Sequence, residues 1–408
     1  MAKVANLTAR RQAIAASAAV HTQPTESGFA LVTAAEAGRQ ITYHSAGVAS
    51  DFHAVVSANA TTTDSTIITR LNGANGSQLL TIAGGTTGEF EDDVNTDTIA
   101  DGDEYNYLIT VGATSTLTLS FVGHSFAATT NTVKRMGGDE RGMSTASTVF
   151  YRNVIAQKFF NTTEAHVQNR FETAGTLKNF LLNVGANARS TDTVFVSRIN
   201  GADGNQTLTI AGGATGIAED TTNTDTIADE DLVNFKATTG TGTGEINVSM
   251  AFDFETTNNK FLYSSVTLLN NTMARNSTIY SWISSRIDVG NTTEANDASD
   301  AQFAMTLSEL SAYVSANGIS SGDTTVRTRV NAGNGNQSLT IAAATTGEFS
   351  DASNSDTIAV ADEINYSIVT GVGSGSQTIV FQHISCLAET LTTRIQDIIQ
   401  MGLIAFPR

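Results

Sequence analysis

Residues 70–107 read RLNGANGSQLLTIAGGTTGEFEDDVNTDTIADGDEYNY, residues 198–235 read RINGADGNQTLTIAGGATGIAEDTTNTDTIADEDLVNF, and residues 329–366 read RVNAGNGNQSLTIAAATTGEFSDASNSDTIAVADEINY. The first two agree at 25 of 38 positions without a gap, and the third aligns ungapped as well. The copies are spaced by 128 and then 131 residues, so the repeating unit is a whole domain and not a solenoid turn. The match extends outward from the block. Asp64, Asp192 and Asp323 each stand six residues before the block's arginine, and Asn161-Thr-Thr-Glu-Ala165 recurs as Asn291-Thr-Thr-Glu-Ala295, with Glu36-Ala37 at the same place in the first copy. The 408 residues divide into three copies with approximate limits 1–128, 129–257 and 258–408.

Within each copy the hydrophobic period is two. Asp192-Thr-Val-Phe-Val-Ser-Arg198 and Gln206-Thr-Leu-Thr-Ile210 alternate, as half-buried strands do. Between them Asn200-Gly-Ala-Asp-Gly204 reads as a hairpin turn, because Asn-Gly accepts positive φ at little cost. Seven or eight short strands per copy predict an antiparallel sandwich. A unit near 130 residues is long enough to bury a core of its own.

The string Arg-x-Asn-Gly, Leu-Thr-Ile-Ala-Gly-Gly and Asn-Thr-Asp-Thr-Ile-Ala resembles a jelly-roll domain of tailed-bacteriophage structural proteins, similar in fold to the tumour-necrosis-factor-like jelly roll. That resemblance covers about 60 residues per copy. It implies head-decoration proteins, head fibres or receptor-binding tips, which are often trimeric. The third copy departs from the pattern, with Ala332-Gly333 breaking the Asn-Gly signal after Asn331, and Ala343-Ala344 for Gly-Gly. The expected fold is all-β: three tandem antiparallel jelly-roll β-sandwiches with an N-terminal arm and a C-terminal tail.

The formal net charge of −18 argues against sequence-independent nucleic-acid binding, which needs clustered Lys and Arg. Of 40 carboxylates, 19 fall in the equivalent windows 89–104, 217–232 and 348–363, which hold no Lys or Arg. We read these as hydrated acidic loops that discourage edge-to-edge association. The sharper reading is Ca²⁺ binding by Asp97, Asp225 and Asp356, each two residues after an Asn. The order does not follow an EF-hand loop, and turn-forming Asn and Asp explain the spacing without a metal. No cofactor is expected.

Catalytic motifs fare poorly. None of the six histidines recurs in all three copies. Gly123-His-Ser-Phe-Ala127 lacks the closing glycine of a nucleophile elbow, and Gly137-Gly-Asp-Glu-Arg-Gly142-Met-Ser144 has Met143 where a phosphate loop needs Lys. Sequence leaves paired carboxylates for glycoside hydrolysis open. Trp282, Tyr263, Tyr280 and Tyr313 gather in the third copy as core or interface anchors, or as a glycan-binding face. The lone Cys386 permits no disulfide within the chain and reads as a small buried hydrophobe.

No run of 18 apolar residues suits a membrane-spanning helix. Arg10-Arg11 followed by Ala13–Val20 has the outline of a signal peptide without its apolar centre, and reads better as a short arm reaching a neighbour. The stretch Ala388–Ile404 shows spacings of three and four, which predict an amphipathic helix or a tail gripping a neighbour. Together these readings give a non-enzymatic virion structural protein. It would be a capsid decoration or cement protein on the capsid exterior, bound to major capsid protein or other virion proteins and assembled in the host cytoplasm. It would act as a homo-oligomer, or as a pseudo-trimer with the three copies in a clover or a rod. The alternative is a fibre or adhesin module that binds host glycans.

Overall fold

The computed structural model describes residues 2–25, 34–37, 39–155, 160–266, 272–287 and 291–391. The alternating runs fold as strands. In the first domain these are β1 (Val4–Ile14), β2 (Ala19–Thr22), β3 (Ile41–Thr42), β4 (Gly47–Asn59), β5 (Ser65–Leu71), β6 (Ala74–Ile82), β7 (Gly88–Asp92), β8 (Asp97–Ile99), β9 (Glu104–Thr110) and β10 (Leu117–Ala128). One sheet has the order β1-β10-β4-β7, and β8 extends the β7 edge along β4. The other has the order β2-β9-β5-β6, with β3 also on β9. All pairs in this domain are antiparallel, and this interleaving of strands distant in sequence is that of a jelly roll.

The same two sheets recur in the strands between Thr132 and Thr256 and again between Lys260 and Thr390. Buried side chains alternate with outward ones, so Thr193, Phe195 and Ser197 point inward from the strand Thr193–Ile199. Trp282, Tyr263 and Cys386 are core residues, with Cys386 accepting a hydrogen bond from the Tyr366 hydroxyl at 3.2 Å. Burying such side chains supplies most of the driving force for folding.

Two sequence expectations are corrected. The segment read as an N-terminal arm is β1 and β2: Val4 to Ile14 pairs along β10, and Ala19–Thr22 pairs with β9. The alanine-rich composition hid a strand whose partner lies more than 100 residues away. At the other end, Ala388–Thr390 completes the strand Thr378–Thr390, so no helix begins at Ala388. Residues 392–408 lie outside the described residues. Among the described residues, no helix is long and apolar enough to cross a membrane.

The repeated block owes its regularity to the hairpin between its first two strands. Asn200 (φ 50°) and Gly201 (φ 78°) both occupy the left-handed region, as in Asn72-Gly73. This is the twist-matched two-residue turn that the Asn-Gly dipeptide predicts. In the third copy Ala332 (φ 59°) takes the glycine's place, and Ala344 (φ 60°) replaces another positive-φ glycine. A Cβ there costs roughly 1–2 kcal/mol.

Three residues after Gly201, Gly204 serves a different end. A Cβ on it would meet Ser197 Oγ at 2.4 Å and Asp225 Oδ1 at 2.7 Å, and Gly76 and Gly335 are placed likewise against Asp97 and Asp356.

The three sandwiches close into a ring in which each touches both others. Asn183 Nδ2 donates to Ala37 O at 2.9 Å between the first and second. Lys134 Nζ lies 4.9 Å from the Phe261 ring centre, between the second and third. Ser125 Oγ donates to Gln302 Oε1 at 3.0 Å and Thr390 Oγ1 to Lys3 O at 3.0 Å, between the third and first. The apolar core follows suit, since one buried cluster runs through the first and third domains.

Two substitutions test the turn. Ala332→Gly relieves the left-handed alanine and is predicted to raise stability by up to about 1 kcal/mol, net of the unfolded chain's gain in entropy. Gly204→Ala is predicted to lower it by about 1–3 kcal/mol through overpacking. Urea unfolding midpoints of the full chain decide both.

Candidate functional site

The site is built from the seams between domains, and each begins with an arginine of the repeated block. Arg70 grips Glu36 through Nε–Oε1 at 2.9 Å and Nη2–Oε2 at 3.0 Å. Arg198 holds Glu164 at 2.8 and 3.0 Å, and Arg329 holds Glu294 at 2.7 and 2.8 Å. Each guanidinium also donates to the hairpin-turn carbonyl of Gly73, Gly201 or Ala332. The fork geometry suits arginine and not lysine. The partner arginine's hydrogen bonds hold the Glu36 carboxyl below the usual carboxylate range. Sequence reading noted both motifs without joining them. The near-constant separation of 34, 34 and 35 residues was the available signal.

The clamp fixes the start of a segment that runs into a short strand: β3, Asn169–Arg170 or Ser299–Asp300. Each short strand pairs on one side with its own domain and faces the next domain on the other. By the repeat, Thr42, Arg170 and Asp300 are equivalent, as are His44, Glu172 and Gln302, and Glu89, Ile217 and Glu348 on the receiving sheet. Three equivalent seams therefore carry three different chemistries.

At the first-to-second seam, His44 Nε2 lies 3.4 Å from Glu219 Oε1 and Arg39 Nη2 lies 3.3 Å from Glu140 Oε2. The His44 ring beside it holds the Glu219 carboxyl below its usual range. Ile41 packs there against Leu181 and Ala251, beside a cleft of about 460 Å³.

At the second-to-third seam, a cleft of about 340 Å³ is lined by Arg170, Glu230, Tyr313, Glu348 and His383 among others. Arg170 Nη2 donates to Glu230 at 2.6 Å, and His383 Nε2 lies 3.3 Å from Glu348. The Tyr313 and His383 rings are stacked at 6.3 Å. Burial raises the Glu172 carboxyl in spite of Arg170 beside it. Asn169 Nδ2 donates to Ser264 Oγ at 3.1 Å.

At the third-to-first seam, Gln302 meets the buried His53, and Asp300 meets Glu89 and Glu91 around a cleft of about 280 Å³. Burial lowers the pKa of His53 to about 4, so it is neutral near pH 7. The Glu89 carboxyl is raised above its ordinary value by partial loss of hydration at the seam and by the hydrogen bond and charge of Asp300, although the side chain keeps contact with solvent. Glu91 is raised as well, by burial and then by Asp300. Among the described residues, Glu89, Glu91 and Asp300 form the one set of three acidic groups whose oxygens lie within 4.8 Å of one another. Carboxylates so placed are common without an ion, and we assign none.

The Ca²⁺ candidates sit elsewhere and are occupied by the fold. Asp97 accepts hydrogen bonds from Thr69 Oγ1 at 2.6 Å, Ser77 N at 2.6 Å and Tyr105 OH at 2.9 Å. Asp225 accepts from Ser197 Oγ, Asn205 N and Gln206 Nε2. Asp356 accepts from Thr328 Oγ1, Asn336 N and Gln337 Nε2. All three are buried. The acidic windows are therefore not simply hydrated loops. Asp92, Asp220 and Asp351 cap the turn that follows each of them: burial opposes their ionisation, but amide donors such as Asn95 N, Asn223 N and Ser338 N hold each below the usual range.

The remaining motifs resolve into structure. His124 and Ser125 lie within β10, with His124 buried between Tyr43 and Tyr107. Gly137–Met143 lies in the strand Thr132–Met143 and forms no phosphate loop. Of the four aromatics, Trp282 and Tyr263 are core residues, Tyr280 lies beneath the Arg329 guanidinium, and Tyr313 alone lines a seam cleft.

No family model and no curated protein matches this chain. The solved structures similar to it include one described as "The Triple Jelly Roll Fold and Turret Assembly in an Archaeal Virus", at 13% identity and a TM-score of 0.20, covering 94% of this chain and 91% of that one. Another is the atomic structure of Sulfolobus Turreted Icosahedral Virus, at 14% identity and a TM-score of 0.18, covering 85% and 81%. Superposition at that level carries no argument, so the fold assignment rests on the strand order itself.

The clamp makes a direct prediction. Arg198→Lys keeps the charge but loses the fork, and should destabilise the chain by about 1–2 kcal/mol in equilibrium unfolding. A loss below about 0.3 kcal/mol would place this pair with ordinary surface ion pairs.

Proposed function

We propose that the chain is a non-enzymatic virion structural protein, a capsid decoration or cement protein that binds major capsid protein on the capsid exterior. The observation that carries this reading is the closed ring of three jelly rolls made by one chain. Three sandwiches built on one repeated sequence can offer three related docking faces around the ring. That arrangement suits a threefold or pseudo-sixfold position on a shell. Covalent linkage raises the effective concentration of the second and third contacts once the first has formed. The resemblance of the repeated block to tailed-bacteriophage jelly rolls supports the same class of role. The net charge of −18 favours a protein partner over nucleic acid. Assembly in the host cytoplasm follows from the same reading.

A second reading has one specific observation in its favour. The second-to-third cleft combines the stacked Tyr313 and His383 rings with a guanidinium and two carboxylates. A flat aromatic wall rimmed by planar hydrogen-bonding groups can hold a sugar ring. The other seams have Asn183 and Val55 where this one has Tyr313.

Two measurements separate the readings. Incubated with undecorated shells, the full chain should bind at a fixed stoichiometry, and truncation after Leu391 should weaken that binding if the tail is part of the contact. Failure to bind any shell from its source virus would overturn the decoration role. Glycan-array binding that is lost in Tyr313→Ala would move the assignment to an adhesin. Trp282→Ala, by contrast, should act on stability by about 3–5 kcal/mol and not on binding as such.

A further inference from the structure

The chain passes from the first domain to the second and from the second to the third, so peptide linkers tether two of the three seams. The third-to-first seam has no linker and closes by non-covalent contact alone. At its core Asp300 faces Glu89. The equivalent pairs are Thr42 with Ile217 and Arg170 with Glu348. One of these carries no charge, and the other is a cation facing an anion. Of these three equivalent pairs, the one at the untethered seam sets two acids face to face. Two carboxyl groups share a hydrogen bond only when one of them keeps its proton.

We propose that the third-to-first seam is a proton-controlled gate, held shut while Glu89 and Asp300 share a proton and loosened when both are ionised. The surrounding groups reinforce this behaviour. From the first domain Glu91, Asp93 and Asp51 add negative charge, with Asp51 already neutralised by Lys3 at 2.7 Å. From the third domain Glu363 adds more. His53, the other titratable group facing the seam, is neutral except in strong acid and bonds to Gln302.

The sign follows from linkage. A carboxyl raised on closure binds more protons in the closed state. Closure is therefore strongest below the ordinary carboxyl value near 4.5 and weakens as pH rises through the raised one. Solvent access to Glu89 moderates the effect. The shared apolar core of the two domains limits the change to a local parting.

Hydrogen exchange on the full chain, in EDTA and corrected for intrinsic rate, tests this. Peptides covering 88–92 and 299–305 should exchange roughly tenfold faster at about pH 8 than at about pH 5. Glu89→Gln, which keeps a hydrogen bond to Asp300 without ionising, should abolish that difference and stay protected at both pH values. Equal protection of the wild type at both pH values would overturn the gate. So would a Glu89→Gln chain that keeps the wild-type pH dependence at those two peptides. If Glu89→Gln fails to fold, Asp300→Asn carries the same comparison.

Discussion

Each sandwich gives one segment to its neighbour, and the return of that exchange to its starting point after three steps is the constraint on which the molecule depends. The segment is short, and most of its backbone bonds go to its own domain. What aims it outward is the fork between a block arginine and a glutamate 34 or 35 residues earlier. Because the same arginine also braces the hairpin turn, turn geometry and seam position are set together. A slipped register at the hairpin would move the clamp and the seam with it.

The polar groups of the repeat serve the same end. Asp97, Asp225 and Asp356 draw a hydroxyl, a backbone amide and a third donor onto one buried carboxylate, which locks the first sheet to the second. The glycine four residues after the turn asparagine is small so that this carboxylate can approach. A buried carboxylate with three donors is satisfied, and any donor removed leaves a buried acceptor site unfilled, so the arrangement specifies one register more than it adds net stability.

The jelly roll was legible because its signals are local: period-two alternation, an Asn-Gly turn and an ungapped repeat. What stayed hidden depended on distance or on the absence of repetition. The first strand pairs with a segment more than 100 residues on, and its Ala-rich sequence looked like an arm. The helical spacing read over Ala388–Ile404 rests on Leu391 and the residues after it, and all but Leu391 lie outside the described residues, while Ala388–Thr390 at its start finish a strand whose two faces are both buried. The acidic windows looked like solvated loops because charge counts do not reveal which carboxylates accept amide donors. The seams were least visible of all. The positions that face each other differ in all three copies, so a search for repeated residues passes over them, while Glu36, Glu164 and Glu294, which do repeat, had no evident partner.

That divergence is what a single-chain trimer permits and a homotrimer does not. In a homotrimer any change at one seam is made three times. Here a histidine–carboxylate pair, an aromatic cleft and an acid pair distinguish three equivalent seams, and each can be tuned alone. The whole account stands on the ring. Small-angle X-ray scattering of the purified chain measures it most directly: a closed ring predicts a radius of gyration near the compact value of about 22 Å for this length. Three sandwiches strung end to end would give a value well above about 30 Å with an elongated distance distribution, and that result would contradict the account.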